Sequence, residues 1–243
     1  MQDQVRRSWW PLAVQDEPDW TIGQPSKVAP VTIVFVPSFE DFFRSDRPAS
    51  TVSFPSPDKF LSRLFGLFSE DVVRHWCRCP EARYGDLGRP YLRFPTERYG
   101  HTLDFTLRDR QTGETFVAEL KCELEYDNYR YLRLTDASQL AHHQGAAFGK
   151  LLNLAKDRSC IPVTVGSKPM AVDGGVLIWG ATTPEGCEAV RSTYGFADVL
   201  SVETMLHDLR QWHCESWMAR VAEVGTWCSE LIEFLGGETP NPH

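Results

Sequence analysis

Residues 101–123, HTLDFTLRDRQTGETFVAELKCE, contain two runs of alternating apolar and polar residues separated by a polar segment. Apolar residues occupy every second position over 103–107 and again over 116–122. This period of two predicts two strands, each with one buried face. The segment 109–114 between them is polar and contains Gly113, which can supply a positive φ, so the stretch predicts a β-hairpin.

The pairing of the predicted hairpin brings three charged residues onto one face. If the hairpin is symmetric about residues 111 and 112, Asp104 lies directly opposite Glu119, and Lys121 shares their face. Carboxylates in that relation lie roughly 5 Å apart at Cβ and repel each other unless a cation binds between them. Mg²⁺ combines one or two carboxylates with phosphate oxygens and water, and a neighbouring amine can orient or deprotonate the attacking water. The pattern predicts a site that hydrolyses phosphodiesters; the alternative is a solvated polar face in which Lys121 neutralises one acid.

Composition limits the class of protein. The 243 residues, 42% of them hydrophobic, are enough for one large domain or two small ones with a sizeable core. No apolar run has the length of a membrane span, and the N-terminus lacks the apolar segment of a signal peptide, so we expect a cytoplasmic protein. Seven cysteines, an odd number at scattered positions, favour reduced thiols over a disulfide framework.

The net charge of −8 disfavours simple nucleic-acid binding, because phosphate contacts dominate such affinity. The charge is, however, unevenly distributed. Residues 61–160 hold 15 basic and 14 acidic residues, whereas residues 161–243 hold 4 basic and 11 acidic ones. The acidity therefore lies away from the predicted site, and the C-terminal third is a candidate surface for a protein partner.

Helix and strand signals flank the hairpin. Ser56, Pro57 and Asp58 predict a helix start, with an interruption at Gly66 or Ser69. Asp136 predicts the cap of a second helix that ends near residue 158. Further expectations are a loop over 79–90, strands over 31–36, 91–94, 161–165, 175–179 and 198–201, a helix from Thr183 to Tyr194, and a helical segment over 202–235 that breaks near Gly225.

From residue 57 to 166 the predicted order is helix, strand, strand, strand, helix, strand. In this order, and in Asp104 of TLDFTL and Glu119 to Lys121 of VAELKCE, the chain resembles the PD-(D/E)XK nuclease superfamily. The resemblance implies an α/β, restriction-endonuclease-like fold with a mixed central sheet flanked by helices. It also implies Mg²⁺-dependent hydrolysis of DNA, with Mn²⁺ as a substitute, Asp104 and Glu119 holding the metal and Lys121 activating water. The proline of the family's name is replaced here by Leu103.

The same resemblance suggests further site residues. A glutamate of the first helix often joins the metal site, and Glu70 fits that position, with Glu97 as its rival. A glutamine of the helix after the third strand often faces the site, and Gln139 and Gln144 are both candidates. The alternative for each is an ordinary surface residue. The implied organisation is an N-terminal appendage over 1–56, a nuclease-like core over 57–182, a mainly helical C-terminal extension packed on the core over 183–235 and a disordered tail over 236–243.

Other motifs give weaker signals. His75, Cys77 and Cys79 lack the second ligand pair of a structural zinc site, which favours buried thiols. His142 and His143 are adjacent, so on a helix they cannot face one metal. The tyrosines and arginines of residues 126–133 could stack bases or contact phosphate, but a surface loop is the simpler interpretation.

Two functions from different classes follow from these observations. The first is a Mg²⁺-dependent DNA endonuclease, which often cuts both strands as a homodimer. The second is a nuclease fold without catalysis that binds nucleic acid or protein. A phosphodiesterase acting on something other than DNA is a third possibility. Metal binding by Asp104 and Glu119 separates the first from the second.

Overall fold

A computed structural model describes residues 59–121 and 132–236, apart from the side chains of residues 60 and 61. The predicted appendage over 1–56, the helix start at residues 56–58, the tyrosines of 126–131 and the tail from 237 onwards lie outside the described residues. In chain order the elements are α1 (Lys59–Arg78), β1 (Tyr84–Asp86), β2 (Pro90–Leu92), β3 (His101–Thr102), β4 (Phe105–Asp109), β5 (Thr115–Lys121), β6 (Arg133–Leu134), a 3₁₀ helix (Ala137–Leu140), α2 (Ala146–Lys156), β7 (Val163–Val165), β8 (Lys168–Met170), β9 (Gly174–Trp179), β10 (Ala181–Thr182), α3 (Pro184–Tyr194), β11 (Asp198–Ser201), α4 (Val202–Gln211) and α5 (Glu215–Gly236).

The predicted hairpin forms the middle of a five-stranded mixed sheet with the order β1-β4-β5-β9-β11. Phe105 pairs with Ala118 across the antiparallel β4–β5 ladder, which is the predicted register. Gly113 has a φ of 78° in the turn, also as predicted. On the other side of β5 the strands run parallel, because β9 pairs with β5 and β11 pairs with β9 in that sense.

Both faces of the hairpin are buried, which corrects the prediction of one buried and one polar face. Thr106 and Val117 are fully buried although they alternate with the core residues Phe105 and Ala118. Helices α1 and α4 cover the face that contains Phe105, whereas α2 and α3 cover the face that contains Val117. A sheet with helices on both faces hides the period of two, because neither face is left to polar residues.

The strand predicted to begin at Leu103 begins two residues later. The chain bends at Asp104, and Leu103 packs in the core on the α2 side while Phe105 packs on the α1 side. The residues before the bend belong to a second, four-stranded sheet with the order β3-β2-β7-β8. The bend therefore places Asp104 where the chain passes from one sheet to the other.

Two strands predicted for the central sheet lie in this second sheet instead. They are β2 and β7, which correspond to the predicted strands over 91–94 and 161–165 and pair with each other. Their places in the central sheet are taken by β1 and β9. Strand β1 lies within the predicted loop over 79–90; three residues that include Gly85 are too short to show a periodic pattern.

Two helix predictions require correction. Helix α1 runs without a break through Gly66 and Ser69, where an interruption was expected. The helix predicted from Asp136 to residue 158 is two helices, because Asp136 caps only the 3₁₀ helix and α2 starts after Gly145. Gly145 has extended backbone angles (φ −64°, ψ 141°), which end any continuous helix at that point.

The break in the C-terminal helical segment lies at residues 212–214, between α4 and α5, and not near Gly225, which lies inside α5. His213 adopts a left-handed conformation with a φ of 51°, which interrupts the helical backbone between α4 and α5. By contrast, α3 agrees with its sequence signals: Thr183 accepts a hydrogen bond from the backbone N–H of Gly186, and Gly195 ends the helix with a φ of 82°. Strand β11 was also predicted, and it makes the sheet continue beyond residue 182.

Candidate functional site

Asp104 lies at the bend before β4 and contacts β5 through its side chain. Its Oδ2 accepts a hydrogen bond of 2.9 Å from the backbone N–H of Leu120. Its Oδ1 accepts one of 3.1 Å from Nη2 of Arg89, whose Nε also contacts the carbonyl oxygen of Leu103 at 3.3 Å. The side chain of Asp104 is therefore fixed beside the end of β5, as the predicted pairing with Glu119 requires.

Glu119 is buried, with only 8% of its surface exposed, near the carboxyl end of β5. Its Oε1 accepts a hydrogen bond of 2.9 Å from Nζ of Lys121. Its Oε2 is buried and has no hydrogen-bond partner among the residues that the structure describes. A buried carboxylate oxygen without a partner costs free energy.

Burial raises the pKa of the Glu119 carboxyl above its ordinary value. The ammonium group of Lys121 and the backbone N–H of Asp104 act in the opposite direction, whereas the negative charge of the Asp104 carboxylate raises the pKa further. The two acids therefore influence each other, as expected for carboxylates that share a site. A cation bound beside them would oppose both causes of the raised pKa by stabilising the ionised carboxylates.

Lys121 lies against aromatic residues of the α2 side. Its Nζ is 5.7 Å from the ring centre of Phe148, and it pairs across the β5–β9 ladder with Trp179. The ring of His143 is 5.2 Å from that of Phe148 and 5.7 Å from that of Trp179. The ammonium group of Lys121 thus lies between the ring of Phe148 and Oε1 of Glu119, which accepts its hydrogen bond.

The structure brings Asp104, Glu119 and Lys121 together and places Glu70 elsewhere. Glu70 lies on α1 and forms a 2.6 Å ion pair with Nη2 of Arg74. The guanidinium of Arg74 lies 5.8 Å from the ring centre of Phe105, on the sheet face opposite to the one that Lys121 contacts. In this arrangement Glu70 is paired on a different face from Glu119.

The alternative residue Glu97 also has hydrogen-bond partners away from Asp104 and Glu119. Its Oε2 accepts hydrogen bonds from Nζ of the buried Lys150 and, at 3.0 Å, from the backbone N–H of Phe94. The bond from Lys150 lowers the pKa of the Glu97 carboxyl. Glu97 thus joins α2 to the segment after β2.

The two candidate glutamines have different environments. Gln139 is buried and its Oε1 accepts hydrogen bonds from the backbone N–H groups of Thr135 (2.6 Å) and Asp136 (2.9 Å), while its Nε2 donates to the carbonyl oxygen of Arg133 at 3.0 Å. These contacts make Gln139 the capping partner of the 3₁₀ helix. Gln144 is exposed in the connection before α2.

His142 and His143 also differ from expectation, because they lie in a turn and not on a helix. Their ring centres are 3.8 Å apart, so adjacency does not separate the two rings here. The sequence did not identify Arg89 as a partner of Asp104, because Arg89 comes from the connection before β2. His143 comes from the connection before α2 and lies beside Phe148 and Trp179.

His75, Cys77 and Cys79 lie at the end of α1, and the six cysteines of the described residues are free thiols. Across residues 59–121 and 132–236, no group of three or more His, Cys, Asp or Glu side chains is arranged to hold a metal ion. None of the helices in the same part of the chain combines the length and apolarity needed to cross a membrane. Comparison with known proteins gave no significant match to a family model, a curated protein or a solved structure.

Proposed function

We propose that this protein is a metal-dependent nuclease that hydrolyses phosphodiester bonds of DNA at Asp104, Glu119 and Lys121. The observation that carries the proposal is the buried Oε2 of Glu119, which lacks a hydrogen-bond partner within the described part of the chain. Glu119 lies on β5, which pairs with β4 directly after Asp104. Mg²⁺ is the cation we assign to it, since the donors are carboxylate oxygens, and Mn²⁺ is a substitute.

The arrangement of the central sheet supports a restriction-endonuclease-like fold as part of the proposal. The chain enters through α1, continues in three antiparallel strands, β1, β4 and β5, passes through α2 and adds β9 parallel to β5. This order repeats the predicted succession of helix, three strands, helix and strand, but with β1 and β9 in the places of the strands predicted over 91–94 and 161–165. The carboxylates come from the segment before its second strand and from its third strand.

The carboxylate oxygens of Glu119 and Asp104 are the metal ligands in this proposal. Glu119 offers Oε2, and Asp104 offers the oxygens that now accept hydrogen bonds from Arg89 and Leu120. A divalent cation bound there supplies Lewis-acid stabilisation of the charge that develops on the phosphate. Glu70 pairs with Arg74, so we propose two carboxylates of this chain as the protein ligands.

Lys121 has the remaining role. Its ammonium group lies 2.9 Å from Oε1 of Glu119, so it stands beside the carboxylate and can orient an attacking water or stabilise negative charge on the phosphate. Its Nζ also lies 5.7 Å from the ring centre of Phe148. Lys121 is a catalytic residue in this proposal, whereas Arg89 positions Asp104.

The proposed activity is tested by incubating the purified full chain with plasmid DNA, linear single-stranded DNA and RNA of matched length. Each substrate is tested with Mg²⁺, with Mn²⁺ and with EDTA. We expect wild type to cleave DNA and EDTA to abolish this cleavage. Asp104→Asn should be inactive. Glu188→Gln, which changes an exposed carboxylate on α3, should cleave like wild type. Cleavage of RNA alone would contradict DNA as the substrate. Cleavage that persists in EDTA would contradict the proposed metal-dependent chemistry.

One feature favours a binding module without catalysis as the second candidate. Arg89 already pairs with Asp104, and Lys121 already pairs with Glu119, so both acids have cationic partners within the chain. Such a module would bind DNA or protein without metal. The absence of cleavage in every condition above, together with no rise in melting temperature on adding Mg²⁺, would favour it over the nuclease.

A further inference from the structure

A second constellation of reactive side chains lies where α1 and α5 meet. Sγ of Cys79, in the turn after α1, is 3.0 Å from Sγ of Cys214, the residue before α5. A disulfide requires the two sulfur atoms to approach to about 2.05 Å. The two thiols are thus close enough to bond after a small side-chain movement, although 135 positions separate them in the chain.

The two cysteines have different environments. Cys79 is buried, and its single S–H can donate either to Sγ of Cys214 or, at 3.4 Å, to the carbonyl oxygen of His75. Cys214 is partly exposed. Its Sγ lies 3.4 Å from Oγ of Ser216, and this hydroxyl in turn lies 3.2 Å from Nδ1 of His75. Cys214 therefore has access to solvent and polar partners, whereas Cys79 faces mainly Cys214.

The acidities of the thiols follow this difference. Burial acts to raise the pKa of Cys214, but hydrogen bonds from Cys79, from Ser216 and from the first backbone N–H groups of α5 hold it below the ordinary value. Burial raises the pKa of Cys79 to about 12, and its hydrogen bond to Cys214 acts in the same direction. A thiol of lowered pKa at a helix N-terminus is the one that reacts first.

We propose that Cys79 and Cys214 form a redox pair that hydrogen peroxide closes into a reversible disulfide between the end of α1 and the start of α5. Sγ of Cys214 attacks one oxygen of the peroxide; the O–O bond breaks, a sulfenic acid forms and the departing hydroxide becomes water. Sγ of Cys79 then attacks the sulfenic sulfur, and the departing hydroxide takes the proton of Cys79 as a second water. The two thiols lose two electrons, and the peroxide gains them.

The disulfide would strengthen the attachment of α5, which contacts the rest of the described structure mainly near its start. Trp217, the buried anchor of this 22-residue helix, packs against Phe68 and His75, and Arg220 forms a 3.0 Å ion pair with Asp71. Beyond residue 221 the helix is largely exposed. A disulfide at Cys214 would add a covalent link one turn before the anchor, so we expect the oxidised protein to hold the start of α5 more firmly.

The test is mass spectrometry of the full chain after brief treatment with hydrogen peroxide and alkylation of the remaining thiols. We expect two thiols to be lost, a cross-linked peptide containing Cys79 and Cys214, full reversal by dithiothreitol, and a higher melting temperature for the oxidised form. Cys214→Ser should abolish the cross-link, and Cys187→Ser, a partly exposed cysteine on α3, should retain it.

Cys79→Ser is the stricter variant, because it should leave a sulfenic acid on Cys214 that a dimedone probe labels. If Cys79→Ser does not fold, the wild-type cross-link and Cys214→Ser decide the matter. A peroxide-induced disulfide that maps to other cysteines, or wild-type protein that keeps both thiols while other cysteines react, would overturn the proposal. Neither result depends on nuclease activity.

Discussion

Glu119 is the residue at which the proposed function and stability oppose each other. It is a buried carboxylate with one oxygen bound to Lys121 and the other without a partner among the described residues. Its raised pKa means that the folded protein binds this proton more tightly than the unfolded chain does. Ionising Glu119 therefore costs folding free energy, which is the expected cost of a cation site in the absence of the cation.

A comparison of wild type with Glu119→Gln at two pH values measures this cost. The unfolded chain loses the proton near the ordinary glutamate pKa of about 4.3, and the folded protein loses it at a higher pH. Between these two pKa values, wild type should lose stability relative to Glu119→Gln as the pH rises. In the absence of divalent metal, the melting temperature of the variant minus that of wild type should therefore be larger at pH 8 than at pH 4. Glu188→Gln should show no such trend. A melting temperature of wild type that rises relative to that of Glu119→Gln with increasing pH would contradict the account.

Substitution of Gln139 and Gln144 distinguishes a structural role of Gln139 from a catalytic one. Gln139→Ala should lower the free energy of unfolding by about 1–3 kcal/mol, because it leaves buried backbone groups of the 3₁₀ helix unpaired. Gln144→Ala, an exposed position in the following connection, should change it by less than about 0.5 kcal/mol. Urea denaturation measures both. If Gln139→Ala left stability unchanged but reduced cleavage, Gln139 would belong to the site.

Residue patterns predicted the part of the site that depends on hairpin register. Symmetry about residues 111 and 112 was enough to predict the register in which Phe105 pairs with Ala118, and this register brings Asp104 beside β5. Arg89 was not predictable in this way. It contacts Asp104 from the connection before β2, whose path depends on the whole fold and not on local periodicity.

At the scale of elements, the hairpin turn depends on Asp109. Its carboxylate accepts hydrogen bonds from Nε of Arg83 (2.7 Å) and from the backbone N–H groups of Gln111 (2.8 Å) and Thr112 (3.1 Å). Burial opposes its ionisation, but these bonds outweigh burial and lower its pKa. The turn that sets the register of the site is thus held by a charged side chain.

Asp109→Ala should destabilise the protein by about 2–3 kcal/mol, because it removes charge-assisted bonds to a fully buried carboxylate. The sign of the pH dependence follows from the lowered pKa: the contribution is present above the ordinary aspartate pKa of about 3.9 and is lost as the pH falls through the folded value. Glu114→Ala, an exposed acid of the same turn, is the matched control. Equal losses for the two variants in urea denaturation would refute the role assigned to Asp109.

Elements with strong end signals were predictable, and short elements were not. Thr183, Pro184 and Gly195 mark the two ends of α3, and the structure places the helix between them. Strand β1 has three residues and no pattern, and the break before α5 depends on His213, a residue without turn chemistry of its own. Local sequence signals report backbone preferences, whereas these two features follow from tertiary packing.

At the largest scale, sequence reasoning missed the partition of strands between the five-stranded central sheet and the four-stranded sheet. Strands β2 and β7 look like members of the central sheet because they precede and follow its hairpin, yet they pair with each other. The parallel pairing of β5 with β9 joins residues more than 50 positions apart. Such partners are chosen by long-range packing of the two cores, which a single sequence does not display.

The most direct test of the central claim is the cleavage of plasmid DNA by Lys121→Ala, with Lys168→Ala, an exposed lysine on β8, as the matched control. Wild type and Lys168→Ala should cut the plasmid in Mg²⁺, and Lys121→Ala should be slower by about 10²–10⁴-fold. The melting temperature of Lys121→Ala should still rise on adding Mg²⁺, because its metal ligands remain. Cleavage by a folded Lys121→Ala at the wild-type rate would contradict the assignment of Lys121 and, with it, the proposed active site.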